Sequence, residues 1–239
     1  MVQPRGDRGR QGGPRSHPGA EEHGGLRHRG VPAEQGDPVE KPSTTLLREA
    51  LSEACRRHGP ADLSSDPVRF PHRYRDPRDA EAAAFLAASF AFGRVSQIHR
   101  VLESLFARLS PSPWAALDGP RPVPFRRVEG ISHRFVSSRG VFLLLRCMRR
   151  AYREHGSLEA LYRAVRGESA DLRSGLTAFL GWFRESWGES LPRERNFLFP
   201  DPRNGSACKR HNLFLRWMVR GGDGVDLGLW TVLSPRELI

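Results

Sequence analysis

The fold class is decided by residues 76–93, which read Asp76-Pro77-Arg78-Asp79-Ala80-Glu81-Ala82-Ala83-Ala84-Phe85-Leu86-Ala87-Ala88-Ser89-Phe90-Ala91-Phe92-Gly93. Asp76 is a favourable N-cap, Pro77 suits the first helical position, and Asp79 places an acidic side chain in the first turn. The alanine-rich run that follows favours a closely packed helix, which Gly93 ends. This segment therefore predicts a helix that begins at Pro77.

Apolar residues recur at helical spacing on both sides of this segment. The pattern predicts a first helix from Ser43 to before Gly59, another along residues 95–109, and further helices over 139–156, 157–165 and 171–183. Five prolines between residues 111 and 124 predict a loop. No stretch alternates as a half-buried strand does. The predicted fold class is all-α, with one multi-helix domain over residues 43–239.

The two ends of the chain carry their own signals. Residues 1–42 consist mainly of Gly, Pro, Arg, His and Glu without aliphatic periodicity, which predicts a disordered low-complexity tail. Near the other end, Ser234-Pro235-Arg236-Glu237 has the pattern of a capping box and predicts a helical turn. Because only two residues follow Glu237, we expect a domain that is truncated at its C-terminus.

Composition narrows the class of partner. The formal net charge is +11, and the seven basic and six acidic residues up to Lys41 leave about +10 for the domain. Such a surplus favours a polyanionic partner, although a GC-rich genome also raises arginine content. The three widely spaced cysteines predict neither a disulfide framework nor a metal site, and no apolar stretch is long enough for a membrane span. We expect a cytoplasmic monomer without cofactor or metal.

Lysine is almost absent from this basic chain. Of the 38 basic residues only two are lysines, Lys41 in the tail and Lys209 in the domain. Arginine stays protonated, whereas a lysine amine can lose its proton and act as a nucleophile. Lys209 is therefore a candidate catalytic residue, although chance alone can leave a single lysine.

Residues 201–222 carry the strongest candidate site. They predict a helix from about Ser206 to Val219, with a core face that includes Cys208, His211, Phe214 and Met218. Lys209, Leu213, Arg216 and Arg220 fall on the opposite face. A basic stripe beside a glycine-flanked helix N-terminus suits a phosphate backbone. The alternative is that Arg216 and Arg220 are solvated or pair with carboxylates elsewhere, and that His211 and Trp217 simply fill the core.

Four segments also resemble an uncharacterised bacterial protein family, and this likeness runs from about Leu46 to Ile239. The family in turn is similar to the helix-hairpin-helix DNA glycosylases, which are all-α. The matching segments are Asp66-Pro67-Val68-x-Phe70-Pro71-His72-Arg73-Tyr74, Asp76-Pro77, Phe92-Gly93-Arg94-Val95 and Gly205-Ser206-Ala207-Cys208-Lys209-Arg210-x-Asn212-Leu213-Phe214-Leu215-Arg216-Trp217-Met218-Val219-Arg220.

The resemblance implies a role for Lys209. In helix-hairpin-helix glycosylases a lysine four residues after the first glycine of the hairpin attacks C1′ of the sugar and forms a Schiff base. Lys209 has the same spacing from Gly205, so the resemblance implies the same role for it. It also implies DNA as partner, with RNA as the alternative. Two departures count against catalysis: the middle hairpin glycine is Ala207, and the Leu-Asp-Thr-His segment that supplies the partner aspartate is absent. Position 211, usually leucine in the family, is histidine.

These observations leave three hypotheses open. The first is a protein of glycosylase lineage that has little or no turnover in this form, with Lys209 as nucleophile and with Gly205, Ser206, Arg210, Arg216 and Arg220 on the nucleic acid. The second is a DNA-binding module of the same fold without catalysis. The third is a decayed gene fragment. His72, Arg73 and Arg94 are further candidate nucleic-acid contacts, because they lie beside prolines or at a helix end.

Overall fold

The computed structural model describes residues 43–57, 60–167 and 171–238, and within these ranges the protein is helical, without a β-strand. The α-helices are α1 (Thr44–Arg57), α2 (Pro77–Ser89), α3 (Val95–Leu109), α4 (Pro113–Asp118), α5 (Ser138–His155), α6 (Leu158–Arg166), α7 (Leu172–Trp187), α8 (Pro192–Leu198) and α9 (Lys209–Val219). Short 3-10 helices span Pro60–Ser65, Pro67–Arg69, Pro71–Arg73, Phe125–Arg127, Pro202–Asn204 and Pro235–Leu238. The all-α fold class is confirmed.

Local capping residues start most of these helices. The Asp76 carboxylate accepts the N–H of Arg78 at 2.9 Å at the start of α2, and the Asp171 carboxylate accepts the N–H of Ser174 at 2.7 Å at the start of α7. Ser157 caps α6 in the same way. Each cap satisfies an amide that lacks a partner within its own helix. The helix starts predicted at these positions are confirmed.

Helix α2 lies at the centre of the core. Every residue from Asp79 to Phe90 is buried, and the helix packs against α4 and α9. The Phe85 ring stacks on Phe183 with 5.0 Å between centroids and meets Phe214 of α9 edge-on at 5.1 Å. Small alanine side chains let neighbouring helices approach α2 closely, which explains the composition of this segment.

Two acidic side chains of α2 are buried and satisfied by other helices. Asp79 accepts hydrogen bonds from the Ser112 hydroxyl at 2.6 Å and from the Trp114 N–H at 2.8 Å, at the start of α4. Glu81 accepts the first two amides of α6, those of Leu158 and Glu159, at 2.9 and 3.1 Å. Burial raises the pKa of Glu81, although these donors act in the opposite direction.

The leucines of α1 are not part of the core, since Leu46, Leu47 and Leu51 are 62%, 49% and 58% exposed. One expectation about helices needs correction. The proline-rich segment after α3 is not all loop, because Ser112 caps the short helix α4 with Pro113 at its first position. The tail predicted over residues 1–42 lies outside the described residues, so the domain boundary near residue 43 remains a prediction.

Candidate nucleic-acid interface

The candidate site is built on α9 and the loop that precedes it. The helix begins at Lys209 rather than near Ser206, because Cys208 adopts a left-handed conformation with φ +46° that no α-helical turn contains. The Ser206 hydroxyl accepts the N–H of Cys208 at 3.3 Å, and the Asn212 amide donates to the Ala207 carbonyl at 2.9 Å. Residues 205–208 are therefore an ordered loop over the start of α9.

The inner face of α9 is part of the hydrophobic core. His211, Phe214, Trp217 and Met218 are buried, and the His211 ring lies between Phe85 and Phe199 at centroid distances of 6.4 and 6.3 Å. Within the part of the chain that the structure describes, neither His211 ring nitrogen has a hydrogen-bond partner. Burial lowers the pKa of His211 to about 3. His211 and Trp217 thus fill the core, in agreement with the simpler expectation for both.

Cys208 is buried at the edge of the same core. Its thiol lies 4.0 Å from the Pro200 carbonyl oxygen and 3.7 Å from the Ser206 hydroxyl. Burial raises the pKa of the thiol, which keeps it protonated at neutral pH and a poor nucleophile.

The outer face of α9 lines a cleft of about 700 Å³, called here the α9 cleft. The structure thus brings together the four residues of the predicted stripe. The cleft lies between α9, the start of α7 and the C-terminal 3-10 turn, and no acidic residue is among the described residues that line it. Its lining residues are Leu172, Lys209, Asn212, Leu213, Arg216, Arg220, Pro235 and Leu238.

Both arginines of this cleft also contact a buried carboxylate. Arg216 Nε donates to Asp226 Oδ2 at 3.1 Å, and Arg220 Nε lies 3.5 Å from the same oxygen. The Asp226 side chain is 0% exposed, whereas each arginine side chain is 47% exposed. Burial raises the pKa of Asp226, and the Arg216 guanidinium counteracts that effect. The alternative that Arg216 and Arg220 pair with carboxylates elsewhere in the chain is thus observed. Both guanidiniums still reach solvent.

The loop that carries Asp226 is fixed against α9 by main-chain hydrogen bonds. Leu227 N–H donates to the Trp217 carbonyl at 2.7 Å, and Trp230 N–H donates to the Met218 carbonyl at 2.7 Å. His72 Nε2 donates to the Val225 carbonyl at 2.8 Å from the other side. His72 therefore stabilises the loop behind the arginines instead of lining the α9 cleft.

Lys209 is exposed at the junction of two clefts. It lines the α9 cleft and a second cleft of about 360 Å³, called here the Phe197 cleft, which is bounded by Phe197, Pro200 and residues 206–211. Among the described residues, none makes a hydrogen bond or ion pair with its ammonium group. Gly205 and Ser206 line a third cleft of about 550 Å³, which shares Leu172 and Asn212 with the α9 cleft.

Arg210 does not belong to the basic stripe. Its guanidinium is turned inward, where it donates to the Ser89 carbonyl at 2.8 Å and to the Phe197 carbonyl. It lies 4.2 Å from the Phe197 ring centroid and 5.2 Å from that of Phe92. Burial lowers the pKa of Arg210 to about 10. Two of its donors are used inside the protein, so the structure places Arg210 apart from the α9 cleft, and a phosphate contact at Arg210 stays a prediction.

Two further predicted contacts lie apart from the α9 cleft. Arg73 forms an ion pair with Glu103 of α3 and lies over the Phe70 ring at 4.4 Å, which ties the 3-10 segment to that helix. Arg94 is exposed as the N-cap residue of α3. Arg73 therefore has a structural partner that explains it, whereas Arg94 remains accessible.

Sequence reasoning missed Asp226 and Glu81. Glu81 is the lone acid in the interior of an alanine-rich run, and this contrast is the local signal of its buried position. Asp226 follows a glycine-rich segment without periodicity, so no local pattern pairs it with Arg216. Only the return of the chain along α9 brings the two together.

The described residues contain no group of three or more His, Cys, Asp or Glu side chains placed to hold a metal ion. None of their helices combines the length and apolar character that crossing a membrane requires.

Comparisons with known proteins identify a family only. No curated protein matches the chain, and no solved structure matches it. A family model described as "Protein of unknown function (DUF2400)" matches residues 66–239, a range that includes the Asp66 to Tyr74 segment, α2 and the whole candidate site. The chain therefore belongs to the DUF2400 family of proteins of unknown function.

Proposed function

We propose that this protein binds DNA by holding a phosphodiester backbone in the α9 cleft. The observation that carries the proposal is the lining of that cleft, where Lys209, Arg216 and Arg220 supply three cations and no acidic residue is among the described residues that line it. Phosphate contacts of this kind provide most of the affinity of proteins for nucleic acids without reading sequence.

The ion pairs with Asp226 are compatible with phosphate binding. Arg216 uses only its Nε toward the carboxylate, and within the described residues its two terminal nitrogens have no hydrogen-bond partner. A guanidinium presents five N–H donors in a planar fork, so the Nε edge of Arg216 binds Asp226 while its terminal nitrogens remain for a phosphate. Asp226 then acts as a positioning residue that orients the fork.

A second candidate function is a lyase reaction at Lys209. The single described lysine is exposed, has no partner among the described residues and lies where two clefts meet. Its amine nitrogen would attack the C1′ aldehyde carbon of an abasic site, and loss of water would leave an imine. The resemblance to helix-hairpin-helix glycosylases supports this chemistry. Against it, no carboxylate of the described residues lines the α9 cleft or the Phe197 cleft.

Salt-dependent binding tests the first proposal. Duplex DNA is titrated with the wild-type chain and with Arg216→Gln and Arg220→Gln between about 50 and 200 mM salt, the range over which phosphate contacts weaken. Each variant should lose affinity and reduce the slope of log K against log salt by about 0.9. Arg100→Gln, an exposed arginine on α3, is the matched control. A wild-type chain without salt-dependent binding would refute the proposal.

Borohydride trapping tests the lyase candidate separately. Duplexes with an abasic site are incubated with wild type, Lys209→Ala and Lys209→Arg in the presence of borohydride, which reduces an imine to a stable amine. A covalent adduct that only the wild type forms would assign the nucleophile to Lys209. If no adduct forms while Lys209→Arg binds DNA like the wild type, the protein is a binding module without this chemistry.

A further inference from the structure

An exposed phenylalanine projects from the loop that precedes α5. Phe135 is 60% exposed, yet its loop is tightly held: His133 and Val136 exchange main-chain hydrogen bonds of 2.8 and 2.9 Å across the turn. Arg134, directly before Phe135, has φ +52°, a conformation that costs a non-glycine residue free energy. The turn thus holds an apolar ring in solvent instead of burying it.

Two half-buried rings support Phe135 from behind. The Phe135 ring is nearly parallel to that of Phe92, with 6.4 Å between centroids and an interplanar angle of 6°, and it meets Phe197 edge-on at 5.3 Å. His133 Nε2 donates to the Phe92 carbonyl at 2.7 Å, which ties this turn to the segment that follows α2. The ring is therefore pre-ordered, and little entropy remains to be lost on binding.

The surroundings of Phe135 are basic. The Arg134 guanidinium lies 5.3 Å from the Phe135 ring centroid and covers Gly93, where an added Cβ would come within 3.0 Å of it. Arg94, exposed, follows Gly93. A projecting aromatic ring with exposed arginines beside it suits a base that stacks while its phosphates meet the cations.

The cluster of Phe135, Phe92 and Phe197 adjoins the candidate site. Phe197, which supports Phe135, also lines the Phe197 cleft together with Lys209. Arg210 lies against both Phe197 and Phe92, so its inward position holds these rings at the start of α9. DNA bound at Lys209 would thus have an aromatic surface at the far edge of the adjoining cleft.

We propose that Phe135 is a stacking platform for an unpaired base, so that the preferred ligand is DNA with a single-stranded or gapped segment. The inference rests on the proposed DNA binding and specifies its substrate class. Bases of an intact duplex stack on one another and cannot cover the Phe135 ring, whereas an unpaired base has a free face. Stacking of this kind tolerates any base sequence.

The test compares single-stranded and gapped oligonucleotides with a fully paired duplex. Phe135→Ala should weaken binding of the first two by at least about fivefold, the lower end of the range measured for base stacking on aromatic residues. Its affinity for the duplex and the salt slope should stay unchanged, and Phe135→Trp should retain binding, with quenching of its fluorescence by the stacked base. Leu51→Ala, in which the replaced side chain is 58% exposed, is the matched control.

The outcomes separate this inference from the proposed function. If wild type shows salt-dependent binding and Arg216→Gln weakens it, while Phe135→Ala binds every DNA like the wild type, the stacking platform is wrong and DNA binding stands. An equal loss on duplex and single-stranded DNA would also overturn the preference for unpaired bases. If the wild type binds no DNA at all, both proposals fail together.

Discussion

Helices α2 and α9 pack against each other, yet they place their charged residues in opposite ways. Helix α2 buries two carboxylates, Asp79 and Glu81, and both accept hydrogen bonds from main-chain amides of other helices. Helix α9 buries an uncharged histidine, and it holds Lys209 and Arg216 on the outer face that lines the α9 cleft. A carboxylate without water needs several N–H donors, and free helix N-termini supply them, whereas a long cation keeps its charged end in solvent.

This difference determines which charged groups of the protein remain accessible. The acids of α2 act as internal caps, and Asp226 is buried behind the arginines. The charged groups among the described residues that line the α9 cleft are therefore cations. The net charge of +11 alone does not locate them. Substitutions at Glu81 of α2, at His211 of α9 and at Asp226 test this difference.

The largest effect is expected at Glu81. Glu81→Ala removes the acceptor of three N–H donors, those of Leu158, Glu159 and Trp230. Buried donors that lose their partner cost about 1–3 kcal/mol each, so the free energy of unfolding should fall by about 4 kcal/mol or more. Urea denaturation measures it, with Glu49→Ala on the exposed surface of α1 as control. A loss below about 1 kcal/mol would mean that water replaces the carboxylate.

An intermediate effect of opposite sign is expected at His211. His211→Leu removes two buried nitrogens without a partner among the described residues, and it should stabilise the protein by about 1–3 kcal/mol at neutral pH.

The pH dependence sharpens the His211 prediction. Because the folded pKa of about 3 lies below the unfolded value of about 6.5, protons bind preferentially to the unfolded chain. Wild-type stability should therefore fall relative to the variant as the pH drops below about 6.5, by up to about 1.4 kcal/mol per pH unit. Denaturation curves at pH 7 and pH 5 measure the difference. A constant gap between the two proteins would show that His211 is not the group concerned.

The smallest effect is expected at Asp226. Asp226→Asn keeps the shape of the side chain but removes the charge that Arg216 and Arg220 share, which leaves both guanidiniums more available to phosphate. DNA affinity at low salt should rise about threefold, a size typical of one partly exposed ion pair. Fluorescence anisotropy with labelled duplex measures it. Weaker binding than wild type would instead show that orientation of Arg216 by Asp226 outweighs the competing charge.

Most helix starts were predicted correctly, because a cap acts over three residues or fewer. Asp76, Ser157 and Asp171 all accept the expected amides. At the other end, Glu237 accepts the N–H of Ser234 at 2.7 Å, as its capping box predicts. Three helices differ from the prediction: α4 forms where a loop is predicted, α8 has no predicted counterpart, and α9 begins at Lys209 because Cys208 is left-handed.

Local sequence pattern predicts the direction of side chains less well. The leucines of α1 repeat like a core face and lie in solvent, and Arg210 follows Lys209 in sequence but points into the protein. In the candidate site, the helical period of α9 predicts the cluster of Lys209, Leu213, Arg216 and Arg220. It does not predict the pairing of Asp226 or the position of Phe135, because their partners lie on segments that are remote in sequence or not periodic.

Local sequence was thus sufficient for most of the helices, for their caps and for the basic face of α9, since all three depend on hydrogen bonds and angles within one or two turns. Tertiary packing decided which charges are used inside and which remain available. Burial of Glu81, His211 and Arg210 depends on the low dielectric and the donors that distant helices create around them. The cleft at Lys209 exists only because α7 and the C-terminal turn close beside α9.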